Sequence, residues 1–141
     1  MIEEIKNQLA KYNDCMDSQY GISDEDYSRL EKMIYDSKSN FNETIHNLIV
    51  LRKKIGLEND WQSEQWWKNT SDFLTNYIDK TIGFLKTECL PEEFYLISEI
   101  FEDITEKSKS KDFVEAIEII GLKYQVENDV FLIIEECKSL L

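Results

Sequence analysis

The chain has 141 residues, the usual size of one domain, and 42% of them are hydrophobic, which is enough to bury a core without disulfides or metals. Sixteen Lys and Arg residues face 29 Asp and Glu residues, a formal net charge of −13. Such a charge disfavours nucleic acid and anionic membranes as partners and favours basic ones. We therefore expect one folded domain over residues 1–141 with a basic macromolecular partner.

The first segment predicts a cytoplasmic protein. It is amphipathic and carries Glu3 and Glu4 near its start, with no basic stretch followed by an apolar run, so we expect neither a signal peptide nor a membrane span. Cys15, Cys89 and Cys137 are odd in number and far apart, which indicates reduced thiols rather than a disulfide framework or a zinc site.

Apolar residues recur three and four positions apart along nearly the whole chain, which predicts an all-α fold. A first helix carries one narrow apolar stripe that ends at Met16. Ser23, followed by three acidic residues, is a typical N-cap and starts a helix near residue 24. Helical phase continues to Ile55, so residues 24–55 form either one long helix or two helices with a kink at "DSKSN".

The rest of the chain predicts four more helices. They cover residue 59 or 60 to about 86, residues 91–106, residues 111–124, and residue 128 or 129 to 141. The run "VFLII" within the last one could form a short strand, but the flanking "EECKSLL" favours a buried helix. The connections are short, which favours a bundle or stacked hairpins of six or seven helices.

All three tryptophans lie in "WQSEQWWKN". Trp66 and Trp67 each belong to a separate stripe of a wide apolar face, which predicts a central helix with both rings in the core. The two stripes are Trp66, Phe73, Tyr77 and Phe84, and Trp67, Leu74, Ile78, Ile82 and Leu85. Trp61 falls outside both, between Asp60 and Glu64, and is either an exposed aromatic anchor or a staple residue that closes the helix start.

No catalytic signature is present. Glu43 and His46 have the E-x-x-H spacing of metal-binding helices, but His46 is the only histidine, and di-iron bundles need this motif twice. The chain has no nucleophile elbow and no glycine-rich phosphate loop. We therefore expect no catalytic residues, no metal and no cofactor.

Acidic residues concentrate in the second half. Residues 1–70 have a net charge of −4 and residues 71–141 a net charge of −9, and residues 91–106 contain six acids and no base. On a helical wheel most of these acids share one face, with Tyr95 among them. The face is either a solvated surface that keeps the protein soluble or a steering surface for a basic partner, with Tyr95 as its anchor.

The stretch "CLPEEFYLISEIFEDITEKSKSKDFVEAI", residues 89–117, resembles the all-helical immunity proteins of bacterial contact-dependent-inhibition and polymorphic-toxin systems. The resemblance lies in a Leu-Pro-Glu-Glu-Phe helix opening, a Ser/Lys turn and an Asp-Phe helix. It implies a protein that binds a cognate toxin domain, often a nuclease, and neutralises it.

Together these patterns predict a non-catalytic immunity protein with a basic toxin as its partner. The residues predicted to bind that partner are Glu92, Tyr95, Glu99, Glu102, Asp103, Glu106, Trp61, Asp60 and Glu64. A second hypothesis is a structural or adaptor subunit of a larger assembly, and an enzyme comes third.

Overall fold

A computed structural model describes residues 2–14 and 21–141, apart from the side chain of Ile2. The predicted all-α class is confirmed, since the described residues form helices and no strand. The helices are α1 (Ile2–Ala10), α2 (Asp24–Asp36), α3 (Phe41–Lys53), α4 (Asp60–Asn76), α5 (Ile78–Thr87), α6 (Pro91–Ile97), α7 (Phe101–Ser108), α8 (Lys111–Tyr124) and α9 (Asn128–Leu140). A 3-10 segment, Ser98–Ile100, joins α6 to α7. No helix in these ranges has both the length and the apolar character needed to cross a membrane.

Residues 24–55 form two helices rather than one. Asn40 lies in extended backbone, and its side-chain oxygen accepts a hydrogen bond from the Glu43 amide at 2.9 Å, which starts α3. The hydroxyl of Ser37 donates to the carbonyl oxygen of Ile34 at 2.8 Å at the end of α2. The polar run between the helices therefore satisfies backbone groups that each helix end leaves without an internal partner.

The predicted number of six or seven helices is too low, because two of the predicted helices are interrupted, one at Tyr77 and the other at Ser98–Ile100. The first interruption is at Tyr77, which has φ −120° and ψ 47° and separates α4 from α5. The Thr81 hydroxyl donates to the Leu74 carbonyl oxygen at 2.9 Å across this break. Tyr77, predicted to lie in the core, is instead 48% exposed because the break removes it from the phase of the apolar stripe.

Contacts between Cα atoms divide the chain into two compact units, residues 1–66 and residues 67–141. The boundary falls within α4, between Trp66 and Trp67. The single domain expected over residues 1–141 therefore stays a prediction.

In the first unit, α1, α2 and α3 pack against one another. Trp66 is fully buried, as predicted, and its indole N–H donates to the Leu48 carbonyl oxygen at 2.8 Å. The Arg52 guanidinium lies 5.9 Å from the centre of the Trp66 ring. Other buried side chains of this unit are Ile5, Leu9, Tyr27, Leu30, Ile34, Ile45 and Ile55.

The first helix is shorter than its predicted stripe. Ile5 and Leu9 are buried as the stripe requires, but α1 ends at Ala10 and Tyr12 lies beyond it, only partly buried. Met16, the last residue of the predicted stripe, lies outside the described residues. The stripe is therefore confirmed only where α1 itself carries it.

In the second unit, α8 packs between α5 and α9, and α9 also packs on α7. The "VFLII" run is helical as favoured, and Val130 and Ile134 are buried. Phe131 and Leu132 are 46% and 57% exposed, so the prediction of a buried helix is wrong for these two residues. Five consecutive apolar residues cover every side of a helix, whereas α9 has neighbours on only part of its circumference.

Candidate functional site

Six of the residues predicted to bind a partner lie on α6, on the 3-10 segment and on α7, within the second unit. All six are exposed, and Tyr95 has 52% of its surface accessible. This acidic surface consists of Glu92, Tyr95, Glu99, Glu102, Asp103 and Glu106. The structure thus places them where a partner could reach them, and their role in binding stays a prediction.

The start of α6 fixes which acids reach the surface. The Leu90 amide donates to the Glu93 carboxylate at 3.0 Å, and Pro91 occupies the first turn, where a missing N–H costs nothing. This cap keeps Glu93 almost fully buried. Glu92 and Tyr95, three positions apart, share an exposed side of α6.

The 3-10 segment divides the acidic surface, so the predicted continuous helix over 91–106 is wrong. The Ser98 hydroxyl donates to the Tyr95 carbonyl oxygen, a back-bond that bends helices, and Ile100 has φ −117° and ψ 10°. A 3-10 turn advances about 120° per residue, against about 100° in an α-helix. Glu99 therefore lies between two groups of side chains, one on α6 and one on α7, instead of within a single stripe.

The acids of α7 have a packed aromatic layer behind them. Phe101 and Ile104 are fully buried, on the side opposite Glu102, Asp103 and Glu106. The Phe101 ring lies 5.1 Å from that of Phe94 and 5.9 Å from that of Phe113, both in edge-to-face geometry. Such packing holds α7 in place and with it the positions of its carboxylates.

The first basic residue after the acidic stretch is Lys107, and it is held on the side of α4. Its ammonium group donates to the Asp72 carboxylate at 2.6 Å and to the Ser71 hydroxyl at 2.9 Å. A second lysine, Lys109, donates to the Leu140 carbonyl oxygen at 2.8 Å. These two lysines therefore donate to groups outside the acidic surface.

Trp67 was missed as a surface residue. The sequence placed its ring in the core, but the side chain is only partly buried, and its indole N–H lies 3.4 Å from the Glu99 carboxylate. At that distance the hydrogen bond is weak. Adjacent residues of a helix point in different directions, so Trp66 and Trp67 could not both face the same part of the core. This was the signal in the sequence that one of them could reach the acidic residues.

The Trp61 cluster, which consists of Asp60, Trp61 and Glu64, lies in the first unit. Asp60 and Glu64 are exposed, and Trp61 is 44% exposed with its ring 6.1 Å from that of the buried Tyr27. Trp61 is the second residue of α4, so it does not occupy the position before the cap that a hydrophobic staple requires. The Trp61 ring therefore packs against Tyr27 while almost half of its surface stays accessible, as expected of a residue that contacts a partner.

A polar network fixes the start of α4 beneath the Trp61 cluster. The Asn59 side-chain oxygen accepts from the Gln62 amide at 2.9 Å and acts as the cap. The buried Gln62 side chain donates to the Asp24 carboxylate and to the Ile22 carbonyl oxygen, both at 2.8 Å. The hydrogen bond from Gln62, followed by one that the Asn59 side-chain amide donates to the same carboxylate at 3.1 Å, lowers the pKa of Asp24.

Other polar candidates are structural. Glu43 pairs with Lys6 at 3.5 Å, and no group of three or more His, Cys, Asp or Glu residues in the described ranges is arranged to hold a metal ion. Cys89 and Cys137 are free, buried thiols, and Cys15 lies outside the described residues. Burial, followed by the nearby Glu93 carboxylate, raises the pKa of Cys89 to about 12, which keeps this thiol protonated and unreactive.

Comparisons with models of protein families, with curated proteins and with solved structures find no significant match to this chain. The resemblance of residues 89–117 to immunity proteins therefore stays a prediction.

Proposed function

We propose that the protein is an immunity protein: a non-catalytic, stoichiometric inhibitor that binds a basic toxin domain of the nuclease type through its acidic surface and neutralises it in the cytoplasm. The observation that carries the proposal is the joint exposure of five carboxylates and Tyr95 in residues 91–106, which contain no basic residue. A nuclease has a basic substrate cleft, and a surface of opposite charge is complementary to it.

The size of the acidic surface supports a protein partner. A continuous helix from Glu92 to Glu106 would span roughly 20 Å at about 1.5 Å per residue, and the 3-10 segment makes the actual path shorter. A standard interface buries about 800 Å² on each partner, so the acidic surface fits within one. An exposed tyrosine among charges is the kind of residue that contributes strongly to binding energy when a partner buries it.

The electrostatic cost of the arrangement also supports a binding role. Glu102 and Glu106 are like charges four positions apart within α7, a spacing that costs an α-helix roughly 0.2–0.5 kcal/mol per pair. A basic partner would convert this repulsion into attraction on binding. Long-range attraction of this kind raises association rates between oppositely charged proteins.

The neighbouring reading frame provides the test. We expect it to encode a large secreted protein whose variable C-terminal domain forms a one-to-one complex with this protein in gel filtration and loses its toxicity when both are expressed together. Tyr95→Ala should weaken the complex at least tenfold. Tyr77→Ala removes a similarly exposed tyrosine of the same unit and should leave affinity unchanged. The proposal fails if no complex forms, or if both variants bind as tightly as the wild type.

A structural or adaptor subunit is the second candidate, and a specific observation favours it. Leu122, Phe131 and Leu132 are exposed in the second unit, and apolar residues of this size are often covered by other subunits in an assembly. Sedimentation of the purified protein discriminates the two candidates. A monodisperse and highly soluble monomer counts against a dedicated assembly subunit.

A further inference from the structure

An apolar groove runs between α8 and α9 in the second unit. Its volume is about 370 Å³, and Leu122 and Phe131 line it with 70% and 46% of their surfaces exposed. The complete lining is Glu118, Gly121, Leu122, Gln125, Val126, Phe131, Ile134, Glu135 and Lys138. Single exposed apolar residues are ordinary on protein surfaces, but two large ones that share a groove form a contiguous patch.

The groove is shaped by the close approach of α8 to α9. A Cβ atom on Gly121 would lie 2.8 Å from the Ile134 side chain, so the glycine lets the two helices meet. Gln125 ends α8 in the left-handed conformation with φ 52°, and the Val126 amide returns to the Gly121 carbonyl oxygen at 3.2 Å. This tight turn sets α9 against α8 and leaves Leu122 and Phe131 at the open side.

Two acids and one lysine line the groove (Glu118, Glu135 and Lys138), a local net charge of −1. Residues 111–141 contain seven acids and three lysines, a net charge of −4. One of those lysines, Lys138, pairs with Glu118 and also with Glu135, at 2.9 Å from the latter, and both carboxylates line the groove. A second copy of this chain carries the same charge of −13 and would be repelled. A basic partner with apolar side chains would fit both features.

We propose that this groove binds an amphipathic, basic helix of a protein partner. Apolar side chains of that helix insert between Leu122 and Phe131, and its lysine or arginine residues lie beside Glu118 and Glu135. A helix of this kind presents side chains at positions i, i+3, i+4 and i+7 to a groove. The inference rests on the proposed function in taking a basic protein as the partner, and it adds the structural element that this partner contributes.

The groove and the acidic surface can serve one partner. Within the second unit α7 and α8 both pack on α9, and α7 also contacts α8 through the rings of Phe101 and Phe113, so the helix that carries Glu102 and Glu106 is a direct neighbour of both groove helices. A partner would meet charge at α7 and an apolar groove at α8 and α9. Charge would then set the rate of association, and the groove would slow dissociation.

Two synthetic peptides with the same lysines test the groove on the full chain. One carries leucines at positions i, i+3, i+4 and i+7, and the other has serine at those positions. In a titration of the isotope-labelled protein followed by amide NMR signals, the leucine peptide should cause saturable shifts in residues 118–138, and the serine peptide should not. Equal shifts with both peptides, or no saturable shift in residues 118–138, overturn the proposal.

Matched variants localise the effect. Leu122→Gln should weaken binding of the leucine peptide at least tenfold, while Leu57→Gln, at a 62% exposed turn residue of the first unit, should leave it unchanged. Thermal unfolding checks that both variants fold. Equal affinity of both variants for the peptide would refute the proposed helix-binding role of the groove. A wild-type dimer that Leu122→Gln dissociates would also refute it, because the groove would then join two copies of this chain.

The peptide titration separates this inference from the proposed function. Shifts confined to residues 92–106 with both peptides would overturn the groove and leave the electrostatic role of the acidic surface intact. If the groove bound the leucine peptide but the protein formed no complex with the toxin domain, the proposed function would be overturned and the groove would stand.

Discussion

Replacement of Trp66 by phenylalanine tests whether this tryptophan belongs to the core, in contrast to Trp61. Trp66 is fully buried and donates a hydrogen bond to the Leu48 carbonyl oxygen at 2.8 Å. Phenylalanine cannot make that hydrogen bond, whose loss costs about 1 kcal/mol. The smaller ring leaves a void of roughly 40 Å³, which costs about 1 kcal/mol at about 24 cal/mol per Å³.

The hydrogen bond and the void together cost about 2 kcal/mol, and the lost burial of apolar ring atoms adds about 1 kcal/mol, so the expected loss of stability is about 3 kcal/mol. Trp61→Phe is the matched control, because Trp61 is 44% exposed and a phenylalanine ring can keep the edge-to-face contact with Tyr27. We expect this control to cost about 0.5 kcal/mol or less.

Urea unfolding followed by circular dichroism measures both free energies of unfolding. The midpoint should fall clearly for Trp66→Phe and little for Trp61→Phe, with similar slopes for the two variants. Equal destabilisation by the two substitutions would refute the division of the tryptophans into one core residue and one surface residue.

Three further substitutions test the packing of each unit and the titration of a buried thiol in the second. A Cβ atom on Gly21 would lie 2.4 Å from the Gly56 backbone nitrogen, so Gly21→Ala should lower the free energy of unfolding by about 3 kcal/mol. Gly83 has open space around it in α5, so Gly83→Ala should raise the free energy of unfolding by about 0.5–1 kcal/mol. Thermal unfolding measures both, and destabilisation by both variants would contradict the close contact at Gly21. Burial and Glu93 raise the pKa of Cys89 from 9.0 to about 12, so the unfolded chain loses this proton first and stability should fall as pH rises above about 9. Cys89→Ala should reduce that fall in urea titrations at several pH values, and an unchanged pH dependence would show that the thiol does not contribute.

Helix ends were predictable where a side chain near the end caps the backbone. Ser23 accepts from the Asp26 amide at 3.1 Å and starts α2 at the predicted residue, and Pro91 opens α6. The break before α3 also had a signal, because Asn40 followed by Glu43 has the spacing of a capping box. A run of poor helix formers alone could not decide between one helix and two.

The breaks at Tyr77 and at Ser98–Ile100 had no such signal. Neither contains proline or glycine, and both depend on hydrogen bonds to backbone carbonyls, from Thr81 and from Ser98. A hydroxyl can make or omit a bond of this kind in a regular helix. The choice therefore depends on tertiary packing, which the order of residues does not contain.

Exposure within the predicted sites was partly predictable. The wheel placed the acids of residues 91–106 away from Ile97, Ile100 and Ile104, and the structure has these isoleucines buried. It could not place Trp67 or Phe131, because each lies on a wide apolar face whose covered part depends on the number of neighbouring helices. The groove between α8 and α9 was missed for the same reason.

The association rate constant with the toxin domain, measured by stopped flow at several salt concentrations, tests the proposed role of the acidic surface most directly. Glu99→Lys/Asp103→Lys changes the net charge from −13 to −9, and so does the control Glu3→Lys/Glu25→Lys at exposed positions of α1 and α2. We expect the first variant to associate roughly tenfold more slowly at low salt with a flatter salt dependence, and the control to stay within about twofold of the wild type. Unchanged rate and salt dependence in the first variant, with both variants folded, would mean that the acidic surface serves solubility alone.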